Sequence, residues 1–508
     1  MKKTTSFTQG QQIILKDILK NINKSALFKH LNIQHLLYES QWSILYDDFV
    51  ENVPVGNIMS YLNMLRAITG DIRASDVSVL SYPQIICNKS DLRVAIHQDT
   101  AFPASKDMLV NSFMIEEKLA KGEIAGLEKV RGKIFHVFDD VKFGTQSDMV
   151  VGSFHLIRQG FASRKIKKMM EPKLSKFNAI GNSNYQKVHA FLNSLEDLGD
   201  KVEVLFVRPQ ILSEMSLILA QREGHFIPLR KICPNIKVIA HYGENIAPYK
   251  QSISTFLEGM ACKQMEILAH PSGLMAYQAN LYEKGLLTLS DREGVFYEFI
   301  PVEDLKSNGT LKRHFRRKYA GQVKADKEYV VAISNKSGLL GFNTEIIIKV
   351  HSIEPFVFVY KGHTMNLDYF SEHINPHLME KLIESINKTL VNYNFHIREY
   401  LIGDHVENGK SYWLFELNTD LKYTRDEYLQ SAANTIHNEM SLQNNNYRQT
   451  IMDGTMEPPE IYFLPVGSIS NVINNIHMTH VDFDEEVTTI MSILNNSAEK
   501  KAFTPNSL

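Results

Sequence analysis

The fold is decided by residues 201–273, in which short apolar runs alternate with helical segments. They read KVEVLFV (201–207), PQILSEMSLILAQREGH (209–225), NIKVIAHYG (235–243), YKQSISTFLEG (249–259) and QMEILAHPSG (264–273). The alternation is typical of βαβ crossovers. It predicts a largely parallel sheet, whose ligands bind beyond the carboxyl ends of the strands.

The segments on either side of this region have a different character. The N-terminal third is predicted to be helical, with Ile13, Ile14, Ile18 and Ile22 at helical spacing. From residue 295 to 362 the pattern changes to strands separated by turn-rich segments, which predicts a second sheet. The remainder follows the order helix, strand, strand, helix, strand, which suits a small ferredoxin-like unit.

A chain of 508 residues is too long for one hydrophobic core. We therefore expect an α/β protein with a large N-terminal domain over 1–362, containing parallel and mixed sheets. A smaller ferredoxin-like α/β domain is expected over 363–494. Residues 495–508 are expected to form a disordered tail.

Composition and charge exclude several classes of protein. Hydrophobic residues make up 44% of the chain and charged residues 22%, which indicates a folded globular protein. Fifty-five Lys and Arg against fifty-seven Asp and Glu leave a formal charge of -2. This balance gives no whole-molecule attraction to nucleic acid or anionic lipid, so neither is expected as a partner.

The cysteines and the N-terminus indicate a cytoplasmic protein. Cys87, Cys233 and Cys262 form no CxxC pair, which favours reduced thiols. The first twelve residues, MKKTTSFTQGQQ, lack the apolar core of a signal peptide, and no run of 18 apolar residues occurs. Neither a cleaved signal nor a membrane span is expected.

Five motifs occur in an order that carries a family resemblance. They are CPNIKVI (233–239), GVFYEFIP (294–301), EYVV (328–331), PFVFV (355–359) and YWLFEL (412–417). Together they resemble the auxin-responsive Gretchen Hagen family of acyl acid amido synthetases, its bacterial branch included. The order of the motifs carries this resemblance, and it extends over most of the chain.

The resemblance implies an adenylating-ligase-like architecture, in which a small C-terminal domain swings over a large one. It also implies a two-step reaction in the cleft between the domains. In the family, ATP and Mg²⁺ adenylate a carboxylic acid, and an amine then takes the acyl group.

This sequence departs from the family where the nucleotide would bind. Residues 91–103, DLRVAIHQDTAFP, contain no glycine or serine where the family has a phosphate loop. His270-Pro271-Ser272-Gly273-Leu274 lacks the carboxylate of the matching family motif, and residues 338–347 leave only Glu345 near the expected aspartate. A metal needs hard oxygen ligands, so these changes argue against ATP and Mg²⁺ and assign no cofactor. An acyl-CoA or acyl carrier protein thioester becomes the expected acyl donor.

Candidate site residues lie where the strands are predicted to end. We expect His270 to act as a general base with Ser272 beside it, both in the altered family motif. His241 and Tyr242 end the neighbouring strand and are expected to contact the substrate. Further substrate contacts are expected from three residues, Tyr277, Asn280 and Glu345.

Charged and metal-binding patterns give two further expectations. A basic segment with Lys312, Arg313, Arg316 and Arg317 is either a solvated face or a contact for a carrier protein or the phosphates of coenzyme A. The HxxH pair formed by His477 and His480 lacks a third ligand at an evident spacing, so no metal site is predicted.

The sequence thus predicts acyl transfer from a carboxylic acid or an activated acyl donor to an amine or hydroxyl acceptor, without ATP. Two alternatives stay open. One is a catalytically silent relative that binds a small carboxylate or a protein partner. The other is an ATP-dependent amide-forming ligase with unusual nucleotide contacts.

Overall fold

The computed structural model describes residues 6–23, 28, 30–56, 93–96, 112–137, 143–146, 149–152, 161–172, 184–242, 246, 249–269, 275–290, 294–306, 309–336, 339–364, 374, 376–390, 395–405, 410–419, 421–465, 468–469, 493–495, 497 and 500–505. Its helices are α1 (Phe7–Ile22), α2 (Trp42–Asn52), α3 (Met114–Lys121), α4 (Arg164–Met169), α5 (Asn184–Leu198), α6 (Pro209–Glu223), α7 (Lys250–Phe256), α8 (Pro376–Leu390), α9 (Asp426–Gln443) and α10 (Asn445–Met452).

Strands occur along the whole described chain. They are β1 (Arg93–Ile96), β2 (Lys133–His136), β3 (Phe143–Gln146), β4 (Met149–Gly152), β5 (Met170–Glu171), β6 (Val202–Val207), β7 (Val238–Tyr242), β8 (Lys263–Ala269), β9 (Met275–Tyr277), β10 (Leu286–Leu289), β11 (Val295–Pro301), β12 (Lys318–Tyr319), β13 (Glu328–Asn335), β14 (Phe342–Ile353), β15 (Phe356–His363), β16 (Ile397–His405), β17 (Lys410–Leu417), β18 (Glu460–Leu464) and β19 (Lys501–Phe503).

The predicted parallel sheet is confirmed. Strands β5, β2, β6, β7 and β8 lie side by side and all run parallel. Helices α5, α6 and α7 cover one face of this part of the sheet, and helix α3 covers the other. Both faces are therefore buried, as the apolar character of β6 and β7 predicts.

The prediction of a second, separate sheet is wrong. Within the described residues, twelve strands form one sheet in the order β12-β11-β13-β14-β15-β10-β9-β8-β7-β6-β2-β5. Strands β9 and β10 pair antiparallel with their neighbours and join the parallel half to the antiparallel half. Periodicity identified the strands on both sides, but these two short connecting strands carry too little pattern to be recognised.

The N-terminal helices cover the antiparallel half of this sheet. Residues Leu15, Ile18, Leu19 and Ile22 of α1 are buried in a core shared with β11, β13 and β14. Ile13 is exposed, so the predicted isoleucine stripe is correct only in part. The buried face of α1 consists of Leu15, Ile18, Leu19 and Ile22, because residues at this spacing lie on one side of a helix.

The C-terminal part forms the predicted small unit around a four-stranded sheet. Its strand order is β16-β17-β18-β19, and β17 and β18 are parallel while the other pairs are antiparallel. Helices α8, α9 and α10 pack with Trp413, Phe415 and Phe463 in one core. The expected order of helix, strand, strand, helix and strand is found in residues 376–464, with one helix that was not expected, α10, before β18.

The prediction of a disordered tail is wrong for residues 501–503. They form β19, which pairs antiparallel with β18 at the edge of the small sheet. Lys501 Nζ also donates to Thr424 O at 2.9 Å and forms an ion pair with Asp426 at 2.7 Å. The polar composition of this segment concealed a strand, because an edge strand needs backbone pairing more than apolar side chains.

Two further features complete the fold. Strands β1, β4 and β3 form a separate three-stranded sheet. None of the helices in the described parts of the chain combines the length and apolar character needed to cross a bilayer.

Candidate active site at the domain junction

The carboxyl ends of the parallel strands meet at one edge of the large sheet. At this edge Val207 of β6 lies in register beside His241 of β7, and His241 lies beside Glu266 of β8. Register neighbours point to the same face, so His241 and Glu266 lie together on the face covered by α5, α6 and α7. The sequence predicted His241 at this edge, but not Glu266.

Burial shifts the pKa of both groups. It lowers the pKa of His241 to about 4 and raises the pKa of Glu266 above its ordinary value. His241 is therefore uncharged at neutral pH. It lies beneath the edge of the sheet, with only 7% of its surface exposed.

Tyr242 connects β7 with the end of β2 at the same edge, across the intervening strand β6. Its hydroxyl donates to Val137 O, the residue that follows β2, at 2.7 Å. This bond spans β6 and fixes the relative position of the ends of β2 and β7. The structure thus gives Tyr242 a structural contact in addition to its predicted role in substrate binding.

A buried acid–base pair lies on the opposite face of this edge. His136, the last residue of β2, has Nε2 3.6 Å from Glu116 Oε1 on α3, and each side chain is 1% exposed. The imidazole stacks on Phe206 at a centroid distance of 4.4 Å. His136 could have been found from the sequence, because it lies at the end of a strand and His241 lies one residue before the end of another. No motif identified in the sequence includes His136.

Charged groups from the small domain lie over the same edge. Arg398 of β16 donates through Nη2 to Glu214 of α6, and its Nη1 lies 3.6 Å from Glu416 Oε1 of β17. Tyr249, which precedes α7, donates through its hydroxyl to Arg398 O at 3.0 Å. Helices α6 and α7 follow β6 and β7 in the chain. The small domain therefore docks where the parallel strands end.

Glu399 is the neighbour of Arg398 on β16 and is half-buried. Its charged neighbours are Arg208, Glu416, Glu214 and Arg398. Burial is the main cause that raises its pKa to about 7, with Glu416 and Glu214 adding to the effect and Arg208 and Arg398 opposing it. Perturbed carboxyl groups of this kind are common at functional sites.

His396 lies just before β16 in the same region. Burial, and secondarily Arg398, lowers its pKa to about 4. We call the group formed by these side chains the interdomain cluster, and it comprises Arg208, Glu214, Tyr249, His396, Arg398, Glu399 and Glu416. Sequence reasoning missed this cluster because its members come from distant segments with no local motif.

The buried histidines give the protein a pH-dependent stability. His241 and His437 each have a pKa of about 4 because of burial, so between about pH 6.5 and pH 4 the unfolded chain binds more protons than the folded one. Stability is fully present above about pH 6.5 and is lost as the pH falls, by up to about 2 kcal/mol for each histidine at about pH 5.

Urea unfolding at about pH 7 and about pH 5 measures this loss. His241→Gln should reduce the difference between the two pH values, because glutamine takes up no proton. An unchanged difference in this variant would show that His241 does not contribute.

Two predicted catalytic residues lie outside the described part of the chain. These are His270 and Ser272. Residues 91–103 also lie outside it, apart from the backbone of β1, as do His477 and His480. Within the described residues, no group of three or more His, Cys, Asp or Glu side chains is arranged to hold a metal ion.

The other predicted substrate contacts are dispersed. Tyr277 is buried in the core under α3, with Lys118 Nζ 5.6 Å from the centre of its ring. Asn280 accepts from Tyr282 N through Oδ1 at 3.1 Å in a turn. Glu345 lies on β14 with φ 61°, and its backbone N–H donates to Asn343 Oδ1 at 2.9 Å. The three residues thus lie on different elements, in the core under α3, in a turn and on β14.

The basic segment divides into exposed and buried residues. Arg317 is buried, with its side chain 3% exposed, and pairs with Glu298 at 2.6 Å. Its guanidinium is therefore withdrawn from any surface that contacts a carrier or coenzyme A. Arg316 is exposed but pairs with Asp304 and Glu303, whereas Lys312 and Arg313 are exposed.

Comparison with known proteins finds similarity in one segment of the sequence and in the fold. Residues 288–361 match the GH3 family central domain. No curated protein matches the chain in sequence. A solved GH3.15 acyl acid amido synthetase is 13% identical, with 98% of this chain and 96% of that chain covered and a TM-score of 0.68. The structure of AtGH3.15 acyl acid amido synthetase in complex with 2,4-DB is also 13% identical, covering 99% of this chain and 96% of that chain at a TM-score of 0.65.

A ligase of another type shares the architecture. The 2-hydroxyisobutyryl-CoA ligase in the postadenylation state, in complex with R3-HIB-AMP, is 10% identical, with 96% of this chain and 92% of that chain covered and a TM-score of 0.53. The predicted α/β, adenylating-ligase-like fold is confirmed. The match to the GH3 family central domain covers residues 288–361, and the fold is shared with the GH3.15 structures along nearly the whole chain.

Proposed function

We propose that this protein transfers an acyl group to an amine or hydroxyl acceptor in the cleft between its two domains. One observation carries the proposal: β16 of the small domain places buried acid and base groups over the carboxyl edge of a parallel sheet. Ligands of parallel α/β folds bind at such an edge. A cleft that aligns donor and acceptor gains rate from their orientation.

The proposed acyl donor is a thioester of coenzyme A or of an acyl carrier protein. Three sequence features support this choice: the bulky residues at 91–103, the missing carboxylate at 270–274 and the altered motif at 338–347. An activated donor removes the need for adenylation. The exposed Lys312 and Arg313 are proposed contacts for its phosphates, and His270 with Ser272 is proposed to assist at the acyl carbon.

A second candidate is an ATP-dependent amide-forming ligase. It is favoured by the fold shared with a CoA ligase that was solved with an acyl-AMP bound. The two candidates differ in one product, because a ligase releases AMP and a thioester-dependent transferase releases a free thiol.

The test uses the purified protein with acyl-CoA esters of several chain lengths and a primary amine. We expect free thiol and amide to form without ATP, as measured by a thiol reagent and by mass spectrometry. AMP formation that depends on ATP, Mg²⁺ and a free carboxylic acid would replace our proposal with the ligase. Binding of the carboxylate in a thermal-shift assay, with no turnover of any donor, would identify a silent relative.

A further inference from the structure

Charge balance in the interdomain cluster singles out one residue. With all groups ionised, the two positive charges of Arg208 and Arg398 face three negative charges on Glu214, Glu399 and Glu416, so these groups are one positive charge short. Arg398 pairs with Glu214 and Glu416, and Arg208 is the cation whose charge most lowers the pKa of Glu399. Burial outweighs this charge, and the pKa of Glu399 is raised to about 7.

The cluster also contains polar atoms that are available for hydrogen bonds to a bound small molecule, here called the guest. Among the described residues, Arg398 Nε and His396 Nε2 are buried and have no hydrogen-bond partner. Buried polar groups without partners are uncommon in folded proteins and call for an explanation. Tyr249, His396 and Glu399 are half-buried, so the cluster keeps some accessible surface next to these atoms.

We propose that the interdomain cluster receives the acceptor amine and that Glu399 takes the proton from it. This inference rests on the proposed acyl transfer. A bound protonated amine supplies the positive charge that the cluster lacks. This charge stabilises the ionised form of Glu399. Arg398 Nε–H donates to an oxygen atom of those acceptors that carry one.

The proton balance of the step is complete. The bound ammonium gives one proton to the Glu399 carboxylate and becomes a neutral amine. Its nitrogen lone pair forms a bond to the thioester carbonyl carbon, and the C–S bond breaks. The second proton leaves the nitrogen for the departing thiolate, which gives a thiol and an amide. Glu399 then returns its proton to water.

All elements packed around Glu399 contribute to its titration. Arg208 and Glu214 face it from the start of α6, and Tyr249 faces it from the start of α7. Arg398 lies beside it on β16, and Glu416 lies on the neighbouring strand β17. A positively charged guest among these groups lowers the pKa of Glu399 from this raised value.

The main test is Glu399→Gln in the full-length protein, because glutamine keeps the size of the side chain but accepts no proton. We expect amide formation from acyl-CoA and n-propylamine to fall roughly a hundredfold or more. Transfer to hydroxylamine, which is uncharged at neutral pH, should be retained. The matched control is Glu427→Gln on the exposed start of α9, which should behave as the wild-type protein.

Each outcome separates this inference from the proposed function. Wild-type rates and an unchanged pH profile in Glu399→Gln would overturn the role of Glu399 and leave acyl transfer standing. Equal losses with n-propylamine and hydroxylamine would indicate a structural role instead and would also overturn it.

A binding measurement decides the inference if the wild-type protein turns over no thioester. Calorimetry with n-propylamine at about pH 6.5, in two buffers of different ionisation enthalpy, measures proton release on binding. Release by the wild-type protein and none by Glu399→Gln would support amine capture at Glu399. The same signal from both proteins, or no binding, would overturn it.

Discussion

Arg317→Met should destabilise the large domain by about 3–5 kcal/mol, because it leaves the buried carboxylate of Glu298 without its cation. Glu298 is fully buried on β11, and Arg317 pairs with it at 2.6 Å. The guanidinium also donates to Val50 O at 3.2 Å and to Val53 O. The variant thus loses an ion pair and two backbone contacts of α2.

Fluorescence of Trp42 reports this effect. The chain contains two tryptophans, and Trp42 stacks on Tyr46, whose hydroxyl donates to Glu298 Oε1 at 3.1 Å. In a Trp413→Phe background, urea unfolding followed at Trp42 measures the large domain alone.

The control is Arg316→Met, whose side chain is 56% exposed and whose surface ion pairs contribute about 1 kcal/mol or less. Equal shifts in the two variants would refute the role of the buried pair. Replacing Arg317 and Glu298 together with Met should recover much of the loss, since no charge is then left buried.

Arg398→Met should loosen the docking of the small domain. It leaves Glu214 and Glu416, both buried, without the cation between them, at a cost of about 3–5 kcal/mol. We expect the two domains to unfold in separate transitions in this variant. Trp413 in a Trp42→Phe background reports the small domain, because its side chain is buried in that core.

Arg425→Met provides the comparison within the small domain. Arg425 is exposed and contacts only the ring of Tyr428, at 5.8 Å, among the contacts resolved for its guanidinium. Its loss should cost less than about 1 kcal/mol. If Arg398→Met shifts the unfolding transitions no more than Arg425→Met does, Arg398 is not what holds the domains together.

Much of the fold was predictable because periodicity acts over short distances. The run KVEVLFV and the segments that follow it became β6, α6, β7, α7 and β8 in the expected order. The join between the two halves of the sheet was not predictable, since β9 has only three residues and β10 only four. Lys501–Phe503 was missed for the same reason.

The candidate site was less predictable than the fold. Strand ends are local features, so His241 and Tyr242 were correctly expected at the edge of the sheet. The interdomain cluster joins residues separated by up to 208 positions, from Arg208 to Glu416, and only docking of the two domains brings them together. The pairing of Glu298 with Arg317 needed a structure because α2 and β11 both shape its surroundings.

The continuity of the twelve-stranded sheet bears on attempts to divide the large domain. Because β9 and β10 hydrogen-bond to strands on both sides, a polypeptide cut between residues 269 and 295 would separate two paired strands and leave an unpaired strand edge on each fragment. Open edges of apolar strands pair with other chains. Fragments from such a cut should therefore precipitate when expressed separately and become soluble only when produced together.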